Sequence, residues 1–112
     1  MKPLFAFAVA TLLSSIFSAA AFASEDLAKA KNCLACHAVD KKMVGPSYKD
    51  IGVSYKTDTD GVAKMSVLIL KGTPQKDGKF QTKHGPIPMM ANAGVSEAEA
   101  KTLATWILSL GK

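Results

Sequence analysis

A chain of 112 residues has room for one small domain, and its 14 basic side chains against 9 acids give a formal charge of +5 at pH 7. Every cation is a lysine and none is an arginine, spread too diffusely for nucleic-acid binding and better matched to acidic protein partners. Two cysteines exclude a multi-disulfide scaffold, so a core this small calls for a staple of another kind.

The first residues are Lys2, an apolar stretch from Leu4 to Phe17 broken by Thr11 and two serines, and small residues ending Ala21-Phe22-Ala23. A positive start, a short apolar centre and an A-x-A end predict a secretory signal peptide over 1–23, cleaved after Ala23, with a domain over 24–112. A membrane anchor needs roughly 20 strongly apolar residues, and this stretch is short, serine-broken and alanine-rich, so no anchor is expected. The expected destination is the periplasm. Cleavage leaves 89 residues, with 13 lysines against 9 acids and a charge near +4.

Glu25 to Cys36 reads as a first helix, with Ser24 as N-cap and acids in the first turn, where the helix dipole favours them. From Asp40 to Val53, Gly45-Pro46 and Gly52 predict a loop with a short helical turn at Tyr48 to Ile51. Thr57 to Gly61 (TDTDG) resembles a fragment of a calcium loop but lacks its remaining ligands, so it reads as the start of a helix over Val62 to Lys71, stopped by Gly72 and Pro74. Thr73 to Pro88 is polar, with a turn at Asp77-Gly78, and reads as a surface loop or a weak hairpin. The last helix is the clearest. Ser96 with Glu99 forms a capping box, Ala100, Leu103, Ala104, Ile107 and Leu110 recur at helical spacing beside Trp106, and Gly111 ends the run. The pattern is helices joined by loops, with no convincing strand.

Cys33-Leu34-Ala35-Cys36-His37 carries the chemistry. C-x-x-C-H is the attachment signature of c-type haem: two thiols add across the two porphyrin vinyl groups, and the adjacent histidine is carried to the iron. One covalently held haem also supplies the missing core. A thiol–disulfide motif shares C-x-x-C but is placed after a buried strand, which this chain lacks. Zinc wants four ligands, and beyond this motif the only other histidine is His84. A disulfide closing so short a loop would constrain the unfolded chain little.

A second axial ligand must come from elsewhere, and His84, Met43, Met65, Met89 and Met90 are available in the exported part. Met65 lies in an apolar helical run, and Met43 is tied close to His37. Met89 and Met90 follow Gly85-Pro86-Ile87-Pro88, a stiff extended segment in which adjacent side chains face opposite ways, so one of the two meets the iron.

Three separated motifs, CLACH, MVGPSYKDI (Met43 to Ile51) and GPIPMMAN (Gly85 to Asn92), followed by a Trp-bearing helix, resemble the small bacterial class I cytochromes c of the cytochrome c-551 type, in the same order over nearly all of the exported part. The resemblance implies an all-α class I cytochrome c fold around one covalent haem c on Cys33 and Cys36, with His37 and Met89 as axial iron ligands. It also implies that the Pro46 carbonyl accepts a bond from the His37 ring and that Asn92 steadies the methionine sulfur. The chain departs from the family at Met90, where a proline is usual, at His84, where a tryptophan is frequent, near Leu68, where an arginine approaches the haem propionates in some members, and over Thr73 to His84, which is longer than usual. Ala28 and Asn32 on the first helix are expected to face Trp106 and Leu103 on the last.

The implied activity is electron carriage by a haem cycling between Fe(II) and Fe(III), with no enzymatic reaction. The expected partners are periplasmic electron donors and acceptors, acidic redox proteins such as a reductase, a peroxidase or an oxidase, met by a monomer. Lys29, Lys31, Lys41, Lys42 and Lys83 are expected to rim the haem crevice. A haem protein with an open sixth position is the rival reading.

Overall fold

The computed structural model describes residues 19–76, 79–80 and 87–112, with side chains over 24–74 and 87–112. The signal-peptide reading over residues 1–18, the Asp77-Gly78 turn, and Lys83 and His84 lie outside the described residues. Among the described residues, four helices make the frame: α1 (Ala19–Ala30), α2 (Tyr48–Ser54), α3 (Gly61–Lys71) and α4 (Glu97–Ser109). A 3-10 turn over Cys33–Ala35 follows α1, and a two-stranded antiparallel ribbon, β1 (Gln75–Lys76) and β2 (Lys79–Phe80), pairs Gln75 with Phe80 and Lys76 with Lys79. The class is all-α. Of the two readings for this segment, the hairpin forms, with only two residues on each side.

α4 is the hub, packing against α1, α2 and α3. Its apolar face buries Ala100, Leu103, Ala104 and Ile107 against Ala28 of α1, Tyr48 of α2, Met65 and Ile69 of α3, and Val95 just before α4. The start of α4 forms from the sequence alone: the Ser96 hydroxyl accepts from the Glu99 amide at 3.1 Å, and the Glu99 carboxylate accepts from the Ser96 amide at 3.3 Å. α2 begins similarly, with the Ser47 hydroxyl accepting from the Asp50 amide at 3.1 Å. The TDTDG segment acts as a helix start: Asp58 accepts from the Asp60 amide at 3.0 Å and from Lys64 Nζ at 2.8 Å.

α1 departs from expectation at both ends. It is already helical at Ala19, the first described residue, so Ser24 is a buried residue inside the helix and not its cap; the alanines before it are the strongest helix formers. It stops at Ala30 because Asn32 takes a left-handed conformation (φ 61°, ψ 19°), a geometry asparagine tolerates better than most residues. Asn32 is therefore an exposed corner outside the helix, and Ala28 alone makes the close packing with α4 expected of the pair. Among the described residues, no helix is long and apolar enough to cross a membrane.

Candidate functional site

The left-handed turn at Asn32 redirects the chain into the 3-10 turn that carries both cysteines. Cys33 opens that turn and Cys36 caps it. The Cys33 carbonyl accepts from the amides of Cys36 at 3.2 Å and His37 at 3.0 Å, which fixes the histidine directly beyond the second thiol. Both thiols are free, Cys33 half-buried and Cys36 exposed.

The loop after His37 folds back and is stitched to the motif. The Gly45 amide donates to the Cys36 carbonyl at 2.7 Å, Tyr48 to Ala38 at 2.9 Å, and Lys49 to Val39 at 3.0 Å. This return places the Pro46 carbonyl 2.8 Å from His37 Nδ1. A carbonyl can only accept, so Nδ1 is the donor, and the neutral ring then has its lone pair on Nε2. Gly45 lies so close to the ring that a side chain there would stand 2.7 Å from Nδ1 and closer still to Cε1. Tyr48, 3% exposed, stacks on the imidazole with centroids 5.1 Å apart and planes at 18°. Trp106 of α4 meets Tyr48 edge-on at 5.3 Å and 68°. The imidazole thus has a hydrogen-bond acceptor, a backbone wall and an aromatic stack to fix it.

Tyr48 also reaches Cys33. Burial pushes the Cys33 thiol above its ordinary value, partly opposed by the Tyr48 hydroxyl, which donates to the sulfur, and by its own backbone. Burial likewise drives the Tyr48 phenol far upward, with the Cys33 charge and hydrogen bond acting in the same direction. Tyr48 therefore stays a neutral donor at physiological pH. Sequence reasoning placed Tyr48 in a short helix and missed its contacts; the available signal was a large aromatic two residues after Gly45-Pro46.

The segment that carries Met89 lies against the end of α3. Gly72 caps that helix at φ 77°, and its amide donates to Leu68 at 2.8 Å. A side chain at Gly72 would stand 2.5 Å from the Met89 carbonyl oxygen, so the chain after Pro88 runs directly across it. Thr73 grips the same residue: its amide donates to the Met89 carbonyl at 2.9 Å, and its hydroxyl accepts from the Met89 amide at 2.8 Å. Asn92 Nδ2 donates to the Ile69 carbonyl at 2.8 Å, which ties the segment to α3.

The methionines separate by environment. Met65 is buried in the core as its apolar run implied, Met89 is half-buried against the core, Met43 is 43% exposed, and Met90 is 77% exposed. Leu68 is half-buried against the core near the α3 terminus. Of the expected basic rim, Lys29, Lys41 and Lys42 are exposed, while Lys31 is held by Glu99 at 3.1 Å and by the Gly94 carbonyl at 2.9 Å.

Two free thiols at the ends of one short turn, followed by an imidazole whose Nδ1 donates to Pro46, fit a covalent haem c. Among the described residues no three His, Cys, Asp or Glu side chains gather into a metal-binding group.

Known proteins agree with this chemistry. The cytochrome c family model matches residues 23–111. Cytochrome c-551 from Pseudomonas denitrificans is 49% identical over 86 residues, covering 77% of this chain and 95% of that protein. Cytochrome c-552 from Nitrosomonas europaea is 44% identical over 88 residues, 79% of each chain. The crystal structure of wild-type Nitrosomonas europaea cytochrome c552 superposes with a TM-score of 0.69 at 43% identity, over 77% of this chain and 98% of that one. The chain belongs to the cytochrome c family, whose small all-α fold and covalently attached haem c it shares.

Proposed function

We propose that this protein is an exported, monomeric electron carrier of the periplasm, cleaved after Ala23, that passes electrons between respiratory redox proteins without catalysing a reaction of its own. Cys33 and Cys36 would hold the haem through thioether links, and His37 Nε2 and Met89 Sδ would bind its iron. When bound, the haem supplies a one-electron Fe(III)/Fe(II) couple.

The remaining work falls to the chain. Pro46 fixes the tautomer of His37 and raises its basicity through the Nδ1 bond. Tyr48 and Gly45 restrict the ring's rotation. A soft thioether favours the ferrous ion, so a His/Met pair raises the potential relative to two histidines. Ligands clamped by Pro46 on one side and Thr73 on the other leave little to rearrange between oxidation states. Asn92, through its bond to Ile69, holds the segment that carries Met89 and keeps a second amide hydrogen for the sulfur. Exposed Lys41 and Lys42 suit an acidic redox partner.

The observation that carries this reading is the His37 ring, whose Nδ1 donates to Pro46 directly beyond two free thiols. Substitution of the ligand tests it. Met89→Ala should abolish the weak near-infrared sulfur-to-ferric-iron band and lower the reduction potential. Retention of the band in that variant would assign the sixth position to another residue. Absence of the band from the wild type would favour an open-site haem protein.

A further inference from the structure

Met89 and Met90 are adjacent thioethers of identical chemistry, and the sequence alone does not choose between them. Pro88 fixes its own φ but leaves the rotation of the following residues free. A twist or one-residue slip of the segment would exchange the two side chains, because neighbours in an extended chain face opposite ways. Something outside the segment must set its rotation.

The contacts around Met89 identify that element. Both backbone polar groups of Met89 are bonded to one residue, Thr73: the amide of Thr73 holds the carbonyl at 2.9 Å, and its hydroxyl holds the amide at 2.8 Å. A strand pair would make the second bond with a backbone carbonyl, whereas here a side chain makes it. The ring of two bonds fixes the peptide planes on both sides of Met89. Gly72 allows the approach, since its left-handed φ of 77° and missing side chain let the Met89 carbonyl lie where a Cβ would come within 2.5 Å. Three residues on, the Asn92 bond to Ile69 stops the segment from sliding. Met90, by contrast, is 77% exposed.

We propose that Thr73 is a positioning residue that selects Met89 over Met90 as the iron ligand, by holding both backbone polar groups of Met89 against the end of α3. The inference rests on the assignment of Met89 to the iron. Loss of the hydroxyl leaves the Met89 amide without its acceptor and frees the rotation of the segment. Loss of one hydrogen bond of this kind shifts the balance between the two registers by about 2- to 13-fold toward Met90.

The test compares ferrous holoproteins by proton NMR, which resolves the strongly shifted signals of an iron-bound methionine, alongside the near-infrared band of the ferric form. Wild type and Thr73→Ser, which keeps the hydroxyl, should each show one bound-methionine set. Thr73→Val, equal in shape but without the acceptor, should show a second set, and adding Met90→Ala should remove it. A single set identical to wild type in Thr73→Val would overturn the proposal. The ligand assignment fails separately, through retention of the band in Met89→Ala with Thr73 intact. If Thr73→Val yields no holoprotein, amide exchange in the wild type decides: the Met89 amide should exchange about tenfold or more slowly than that of Met90. Equal rates would count against the clamp.

Discussion

Tyr48 joins the haem-binding motif to the core, and truncating it should damage both. The residue is 3% exposed, stacks on His37, meets Trp106 edge-on and donates to the Cys33 sulfur. Tyr48→Ala removes a buried aromatic side chain and leaves a cavity, a change that costs about 3–5 kcal/mol. Tyr48→Phe keeps the ring and both aromatic contacts, and loses one hydrogen bond to a weak sulfur acceptor, near the lower end of about 0.5–1.5 kcal/mol. The aromatic pairs account for about 0.5–1.5 kcal/mol each within the larger figure. Denaturant unfolding of the holoproteins, followed by far-UV circular dichroism, measures the stability difference. The reduction potential and the NMR shifts of the haem methyls report whether His37 has turned. Tyr48→Ala should lose several-fold more stability than Tyr48→Phe and should alone change the methyl pattern. Equal losses, or an unchanged pattern in Tyr48→Ala, would refute the claim that the ring holds the imidazole.

Three further outcomes follow from other contacts. Ser96→Ala removes the cap of the hub helix and should lower stability by about 0.5–2 kcal/mol in thermal or denaturant unfolding. The bond from Lys31 holds the Glu99 carboxyl below its ordinary value of 4.5, followed by its bonds with Ser96. A depressed folded-state value stabilises the fold above the unfolded value, and that contribution is lost as pH falls through the folded one. Glu99→Gln should therefore flatten the acid limb of the unfolding midpoint against pH. Lys41→Glu with Lys42→Glu should slow electron exchange with an acidic redox partner by about 10-fold at low salt. That gap should close between 0.1 and 1 M salt, as the Debye length falls from about 10 to about 3 Å; a gap independent of salt would point to apolar docking.

Local chemistry was legible in the chain and long-range placement was not. The C-x-x-C-H spacing announces its chemistry because all its atoms lie within five residues, and the Ser96–Glu99 box announces α4 for the same reason. The ends of α1 were hidden by competing local preferences: Ser24 is a good cap, but alanines on its far side continue the helix, and Asn32 stops it early by adopting a left-handed turn. Tyr48 looked like an ordinary helix start, since its stack on His37 exists only once the loop from Ala38 to Ser47 has folded back. Thr73 and Met89 are 16 residues apart, and Lys31 and Glu99 68 apart, so neither pairing leaves a spacing signal. Lys31, expected on the basic rim, is held by Glu99 of α4 and by the Gly94 carbonyl.

The most direct test of the account is the intact mass of the protein purified from the periplasm of cells able to mature c-type cytochromes, measured under denaturing conditions. The expected mass is that of a chain beginning at Ser24 plus one haem, with the haem mapping to the peptide that holds Cys33 and Cys36. The bare chain mass, with no haem retained after denaturation, would contradict it.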